Sequence, residues 1–500
     1  MNSNTFDLES YQPLPITYQL RHSILKKIQL GEDPLPDIQG REDVKDDVLR
    51  ALLSGAHPYL VSEEGTGKTR LARSLTKLLP PIPAIKGCSY HDDPKWPIDF
   101  LCPRCRTSAD PVKEFGVEMI PGERRFSRIQ GNEYTNEAKL LGLKDIQAIA
   151  QGKSPADPLV FSGTGIFRAN RGLLFVDELP AIRTKVQVIL HPVLEEKRAI
   201  LEEYHWEHPL DLVLVATGNP QGFAHVNEVS RPLLDRLELI YMHLPDSEVE
   251  RDIILKERFR ITEGHFQAMN QPDIPSYPSM AELERRTMAP WWIIDLVNGA
   301  ARHSRSCRWL DKKASIRGTT RALDHTYASA ELEKRDVTNI SDAYSGLKLA
   351  LRGRLGLRAD LMDFDNPWES FRRTDQVVED LLCNAFTDLA FQFEADGERL
   401  GQDITSLLSD GIDNITSKLS EYDELASVVG QMIRAGRDRI NNDLSETEKE
   451  LYLRPEDLDA VSLEQLNISA LETVVNIGVH RKIIDESIGE KIFIPKLIKW

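Results

Sequence analysis

Gly65, Thr66, Gly67, Lys68 and Thr69 follow Ser62, Glu63 and Glu64 in one short run, and together they carry the parts of a phosphate-binding loop. The pattern is G-x-x-x-x-G-K-[ST], with Ser62 standing where the first glycine begins. Such a loop aims successive backbone N–H groups at phosphates, sends a lysine to the terminal groups and puts a hydroxyl on Mg2+. Lys68 and Thr69 supply the last two parts. The first position needs a tight turn more than a given side chain, so a small Ser62 is a mild departure. The plain alternative is a glycine-rich turn that binds nothing. The flanks speak against it: residues 58–61 form an apolar run suited to a buried strand, while Ala72, Leu75, Leu78 and Leu79 suit a helix whose N-terminus faces an anion.

A second constellation follows about a hundred residues later, a spacing in keeping with one α/β nucleotide-binding unit plus insertions. Residues 172–180 form an apolar strand ending in Asp177 and Glu178. A buried parallel strand turns its carboxyl end to the ligand crevice, which brings both acids beside the phosphates. There Asp177 can hold Mg2+, and Glu178 can orient and deprotonate a water in line with the γ-phosphate. A third apolar strand, 212–219, ends in Asn219, whose amide suits the γ-phosphate or the attacking water. An apolar strand ending in solvated acids is common alone. Three strand ends in this order point to ATP and Mg2+.

Three of the 5 cysteines fall within residues 88–105, as Cys88-x2-His91, a loop, then Cys102-x2-Cys105. Each knuckle can place two ligands on one side of a tight turn, and four thiolate or imidazole ligands suit tetrahedral Zn2+. Structural zinc on Cys88, His91, Cys102 and Cys105 is the reading preferred here, with Asp92 and Asp93 as competing oxygen ligands. A disulfide is the structural alternative and is uncommon in the cytosol.

Taken together, residues 62–69, 173–178 and 212–219 resemble the three strand-end motifs of AAA+ ATPases. Residues 230–236, with Arg231 and Arg236, resemble the arginine-finger region of that family, and residues 315–317 its second sensor, with Arg317 reaching the phosphates of its own chain. Residues 167–178 look like the branch holding the magnesium-chelatase ATPase subunit and the MoxR-type ATPases, in which hairpins are inserted before the second and third motifs. Residues 198–209 fit such a hairpin. The resemblance spans roughly residues 35 to 355. It is specific for the ATPase class and broader for the branch, and the Cys/His insertion is not a chelatase feature. The resemblance implies adenine contacts at Ile38 and Gly40, an arginine from the next subunit at each nucleotide, and hence a homo-oligomeric ring, a hexamer. It also implies a partner with a metal-dependent, integrin-like (von Willebrand A) adhesion domain.

The expected fold is α/β: a P-loop core with a parallel sheet and inserted β-hairpins, then an α-helical lid and a C-terminal helical region. The division is 1–34, a polar lead-in; 35–246, the core, with the Cys/His insertion at 85–110; 247–355, the lid; and 356–500, a helical bundle. At about 100–200 residues per domain, 500 residues make about two to four domains. A formal net charge of −17 argues against nucleic-acid binding by the surface at large. The densest basic run, 302–313, reads as a solvated helix end. The N-terminus lacks the basic and apolar regions of a signal peptide, and no stretch approaches the roughly 20 apolar residues of a membrane span. The expected location is the cytoplasm. The expected function is an ATP-hydrolysing remodelling ATPase acting on a protein partner. Two alternatives stay open: a relative of PrkA-type serine kinases, whose ATPase module residues 161–172 and 190–194 also resemble, and a nucleotide-gated scaffold with little hydrolysis.

Overall fold

The computed structural model describes residues 8–63, 65–219, 229–258, 287–363, 366–390, 395–410, 415–438 and 452–484. Glu64 of the phosphate loop lies outside the described residues. The chain divides into two compact units, Met1–Pro245 and Asp246–Trp500.

The first unit is built on a five-stranded sheet: β1 (His57–Val61), β4 (Phe126–Gln130), β7 (Gly172–Asp177), β10 (Leu212–Gly218) and β11 (Leu237–Tyr241). Its order is β11-β1-β10-β7-β4, with every pairing parallel. The central strands are apolar throughout because both faces are covered. Leu60, Leu173, Phe175, Val213 and Val215 face one side, packing against Leu20 and Ile24 of α1 (Ile16–Gln29), Val44 and Val48 of α2 (Glu42–Leu53) and Leu71 of α3 (Lys68–Ser74). Tyr59, Val61, Leu174, Val176, Leu214 and Ala216 face the other. The period of two along each strand is what separates the two cores.

Three antiparallel hairpins leave this sheet. β2 (Ile82–Ile85) pairs with β3 (Val117–Ile120), and the Cys/His segment is the loop between them. β5 (Gly142–Lys144) pairs with β6 (Phe161–Gly163) ahead of β7, and β8 (Arg198–Leu201) pairs with β9 (Trp206–Pro209) ahead of β10. Within the lead-in read as polar, Ile16, Leu20 and Ile24 of α1 are fully buried. Their four-residue spacing marks one helix face, and the sheet supplies the surface it covers. Buried arginines fasten this region: Arg125 donates to the Arg171 and Pro80 carbonyls and to Gln19, and Arg171 pairs with Asp93 at 2.5 Å.

The second unit is helical. The helix Trp291–His303 is buried over most of its circumference, and the helices Ile316–Leu332 and Pro367–Ala390 pack on it. The segments expected as lid and as C-terminal region thus share one compact unit. Arg302 and Arg305 of the basic run both bind the fully buried Glu250, at 2.6 and 2.5 Å, so these charges serve the interior. No helix among the described residues is long and apolar enough to cross a membrane.

Candidate functional site

Parallel pairing aligns the carboxyl ends of β1, β10 and β7, with Val61 opposite Gly218 and Ala216 opposite Val176. The loop from Ser62 to Gly67 therefore emerges beside Asn219, which in turn neighbours Asp177 and Glu178. Gly65 (φ 75°) and Gly67 (φ 93°) occupy left-handed backbone regions that favour glycine, and Gly67 caps α3. Lys68 begins that helix. Its amine donates to the carbonyls of Ser62 (2.7 Å), Glu63 (3.2 Å) and Gly218 (3.2 Å) and to Asn219 Oδ1 (3.0 Å). The hydroxyls of Ser62 and Thr66 are 2.5 Å apart and close the loop from within, which accounts for a serine at the first position.

Asn219 Nδ2 donates to Glu178 Oε1 at 3.3 Å. Thr217, one residue inside the end of β10, accepts the backbone N–H of Glu178 at 2.9 Å and donates to Asp177 Oδ1 at 2.8 Å. Arg128 of β4 meets the other oxygen, Asp177 Oδ2, at 2.5 Å. Glu178 itself sits at φ 63°, a left-handed residue that ends the strand.

Ile38 is buried in the α1–α3 core, Gly40 has φ 61°, and the adjacent Arg41 donates to the Thr66 carbonyl at 2.5 Å, so the 35–41 segment touches the phosphate loop. Thr69 lies in the first turn of α3. Arg231 is exposed at the start of the short helix Arg231–Leu234. Arg236 pairs with Glu195 and the Pro232 carbonyl; Asp235 and Glu238, its neighbours in sequence, are not the partners. Arg317 is exposed in the first turn of Ile316–Leu332, in the second unit.

At the Cys/His loop the structure gathers three of the four expected residues and a different fourth. Cys88, Cys102 and Cys105 converge with Asp92, their ligand atoms all within 4.8 Å of one another, and His91 is not among them. His91 has φ 56°, which turns its ring to the Asn170 carbonyl (Nδ1 to O 3.1 Å) and brings the next residue, Asp92, to the sulfurs. Asp93 is held instead by Arg171 and Tyr11. Burial, together with the nearby Cys88, pushes the Asp92 carboxyl up to about 7. His208 of β9 is fully buried, its Nε2 3.7 Å from Asp92 Oδ1, and burial lowers it to about 3.

Sequence reasoning passed over Thr217, Arg128, Arg41 and His208. Arg41, directly after the Gly40 turn, carried a local signal. The other three are brought in by strands distant in sequence.

Residues 118–237 match the family model of the AAA domain, dynein-related subfamily, a stretch that contains Asp177, Glu178, Asn219, Arg231 and Arg236. The magnesium-chelatase 38 kDa subunit of Acidiphilium rubrum is 30% identical over 181 residues, 35% of this chain and 48% of that protein. The magnesium-chelatase 67 kDa subunit of Heliobacterium mobile is 32% identical over 197 residues, 37% of this chain and 28% of that protein. The chain thus spans less than half the length of these two curated relatives. The chloroplastic magnesium-chelatase subunit ChlI of Glycine max is 26% identical over 343 residues, 66% of this chain and 76% of that protein.

Proposed function

Because this chain is an AAA+ protein of the magnesium-chelatase type, we propose that it hydrolyses ATP and uses the turnover to remodel a protein partner. The observation that carries the reading is the hydrogen-bonded line Lys68–Asn219–Glu178 at the carboxyl edge of the sheet, with Asp177 beside it. The donor set fits the Mg2+ nucleotide: two left-handed glycines leave backbone N–H groups at the start of α3, next to one amine, one hydroxyl and two carboxylates. When bound, the nucleotide supplies the phosphoanhydride that water cleaves. The loop of Ser62, Glu63, Glu64, Gly65, Thr66 and Gly67 cradles the phosphates and Lys68 neutralises them. Thr69 and Asp177 hold the metal, and Ile38 and Gly40 sit at the base. Glu178 takes the proton of the attacking water on its carboxylate, and Asn219 fixes the direction of that carboxylate. Thr217 fixes the end of β7 by accepting the Glu178 backbone N–H and donating to Asp177 Oδ1.

Arg231, from a neighbouring copy in a ring of six, completes the charge compensation, with Arg236 as the second candidate. The client is presented by a partner with an integrin-like adhesion domain, and the hairpins pass the nucleotide-driven change to it.

The test measures phosphate release from ATP by the purified chain, together with transfer of labelled γ-phosphate to added protein acceptors. Phosphate release that falls about 10²–10⁴-fold in Glu178→Gln, with nucleotide still bound, is the expected result. Labelled acceptor protein without free phosphate would establish the serine-kinase alternative. Equal release by Glu178→Gln and the native chain would remove Glu178 from the role of base.

A further inference from the structure

Cys88, Asp92, Cys102 and Cys105 form a buried cluster that the nucleotide chemistry does not use. We infer that these four residues bind one structural Zn2+ through three sulfurs and the Asp92 carboxylate, and that the ion fastens the β2–β3 loop to the β8–β9 hairpin through His208. This inference stands independently of ATP hydrolysis.

The spacing of the sulfurs fits the ion. Tetrahedral Zn–S bonds of about 2.3 Å set neighbouring sulfurs about 3.8 Å apart, and Cys88 Sγ lies 3.7 Å from Cys102 Sγ, with all the cysteines free thiols. Two arms of chain deliver the ligands. On one, Ile85 N donates to Asp92 O and Cys88 N to Ile85 O, folding Cys88 and Asp92 to the same side. On the other, Arg106 N donates to Cys102 O in the tight turn that aligns Cys102 with Cys105. Asp92 Oδ2 accepts the Cys102 N–H at 2.7 Å, which ties the arms together and orients the carboxylate.

Polar atoms left over point the same way. Asp92 Oδ1 and both ring nitrogens of His208 are buried without hydrogen-bond partners, in side chains that are 0% exposed. Buried polar groups are ordinarily satisfied, and an orphaned carboxylate oxygen among three sulfurs is a metal-binding arrangement. Thiolate ligands select zinc over the oxygen-preferring Mg2+ of a nucleotide. His208 Nε2 lies 3.7 Å from Asp92 Oδ1, just beyond hydrogen-bond distance, and a small approach would give the outer-shell hydrogen bond that a ligating carboxylate receives.

The site reaches the hairpin through aromatic packing. Tyr90, between the ligands in sequence, meets His208 edge-on at 5.5 Å and Trp206 at 6.0 Å, while Phe167 stacks on Trp206 at 5.6 Å. His208 and Trp206 both belong to β9. Without the ion, the loop and the hairpin lose the anchor between them, and metal binding here contributes directly to local folding.

The experiment uses the full chain purified without chelator. Metal analysis should find one zinc per chain, and X-ray absorption should show three sulfurs and one oxygen or nitrogen on the ion. His91→Gln should keep the zinc. Asp92→Ala should lose it, and His208→Ala should weaken binding about 10–100-fold. Stripping the metal should speed hydrogen exchange in residues 198–209 about tenfold or more, with residues 60–70 unchanged. Absence of stoichiometric zinc, a site with four sulfurs or none, or zinc lost in His91→Gln would overturn the ligand set. Should Asp92→Ala not fold, absorption spectra of the native chain decide the ligands alone. Unchanged exchange at 198–209 after stripping would overturn the fastening role.

Discussion

Lys68 Nζ donates to Asn219 Oδ1 at 3.0 Å, and the amide so oriented donates from its Nδ2 to Glu178 Oε1 at 3.3 Å. The donor end of the amide faces the carboxylate because the acceptor end faces the amine. One side chain at the end of β10 thereby relates the loop cation to the acid at the end of β7.

Two substitutions separate these contacts. Lys68→Ala should abolish nucleotide binding, since the β- and γ-phosphates lose their main cation. Asn219→Ala should bind nucleotide within a few-fold of the native chain yet turn it over on the order of 10² more slowly, because Glu178 is no longer aimed. Binding of a fluorescent nucleotide and phosphate release, measured on the same samples, distinguish the two. Equal binding losses in both variants would sink the orienting role of Asn219.

Arg128 offers a second test, through metal dependence. Its guanidinium occupies Asp177 Oδ2 at 2.5 Å while Thr217 holds Oδ1 at 2.8 Å, so Mg2+ has to compete for the carboxylate. The Arg128 side chain is 40% exposed, which limits the pair to about 1 kcal/mol. Arg128→Gln should therefore lower the Mg2+ concentration for half-maximal ATP hydrolysis by up to about fivefold. A magnesium titration at saturating ATP reads this directly, and a shift to higher magnesium would mean that Arg128 helps to hold the metal site.

The strand ends were legible because their cause is local. Residues 173–176 and 212–216 are continuous apolar runs, and the polar residues that stop them lie on the same edge once the strands are parallel. The hairpin over 198–209 was legible for a similar reason, in two extended halves around a polar turn. Thr217 and Arg128 were not, because their contacts depend on which strand lies beside which: β10 and β4 flank β7, yet neither is its neighbour in sequence. The exchange of His91 for Asp92 turns on one left-handed residue inside a knuckle, a choice that spacing alone does not encode. The burial of α1 was half visible: the Ile16, Leu20 and Ile24 stripe is in the sequence, while the sheet face of that core is assembled from β1, β7, β10 and β11.

His57 supplies a pH test of the first unit. At the start of β1 its Nδ1 accepts the Leu214 N–H at 3.1 Å, and burial, helped by the charge of Lys197, lowers it to about 4. The folded pKa lies below the unfolded value of about 6.5, so between these values the unfolded chain takes up a proton that the folded chain refuses. The stabilisation is fully present above about pH 6.5 and is lost as pH falls towards 4. His57→Asn retains an acceptor and does not titrate. Denaturant unfolding of the first unit, followed at about pH 7.5 and about pH 5, should show a loss smaller by roughly 1–2 kcal/mol in the variant than in the native chain. Equal losses would show that His57 does not titrate with folding.

Arg231 carries the prediction about assembly. Hydrolysis spreads negative charge over the γ-phosphate oxygens, and a guanidinium aimed there is worth about 10³–10⁵ in rate. Within its own unit, Arg236 is engaged with Glu195, whereas Arg231 is exposed at the first position of the helix Arg231–Leu234, its side chain without a hydrogen-bond or ion-pair partner among the described residues. Ser230 and Pro232 on either side fix the chain direction there: the Ser230 N–H donates to Gln187 at 3.0 Å, and a proline is at home in the first turn of a helix. Arg231 is thus held by its backbone, with its charged end unengaged among the described residues, as an arginine serving a neighbouring copy must be. Arg231→Ala alone should bind ATP normally and hydrolyse it at least about 10³-fold more slowly, and Glu178→Gln alone should be similarly inactive. Mixed assemblies place an intact Arg231 beside an intact Glu178 at some interfaces, so activity should partly return on mixing. Labelled subunits establish that exchange has occurred. With exchange demonstrated, no recovery would show that Arg231 acts within its own chain or not at all.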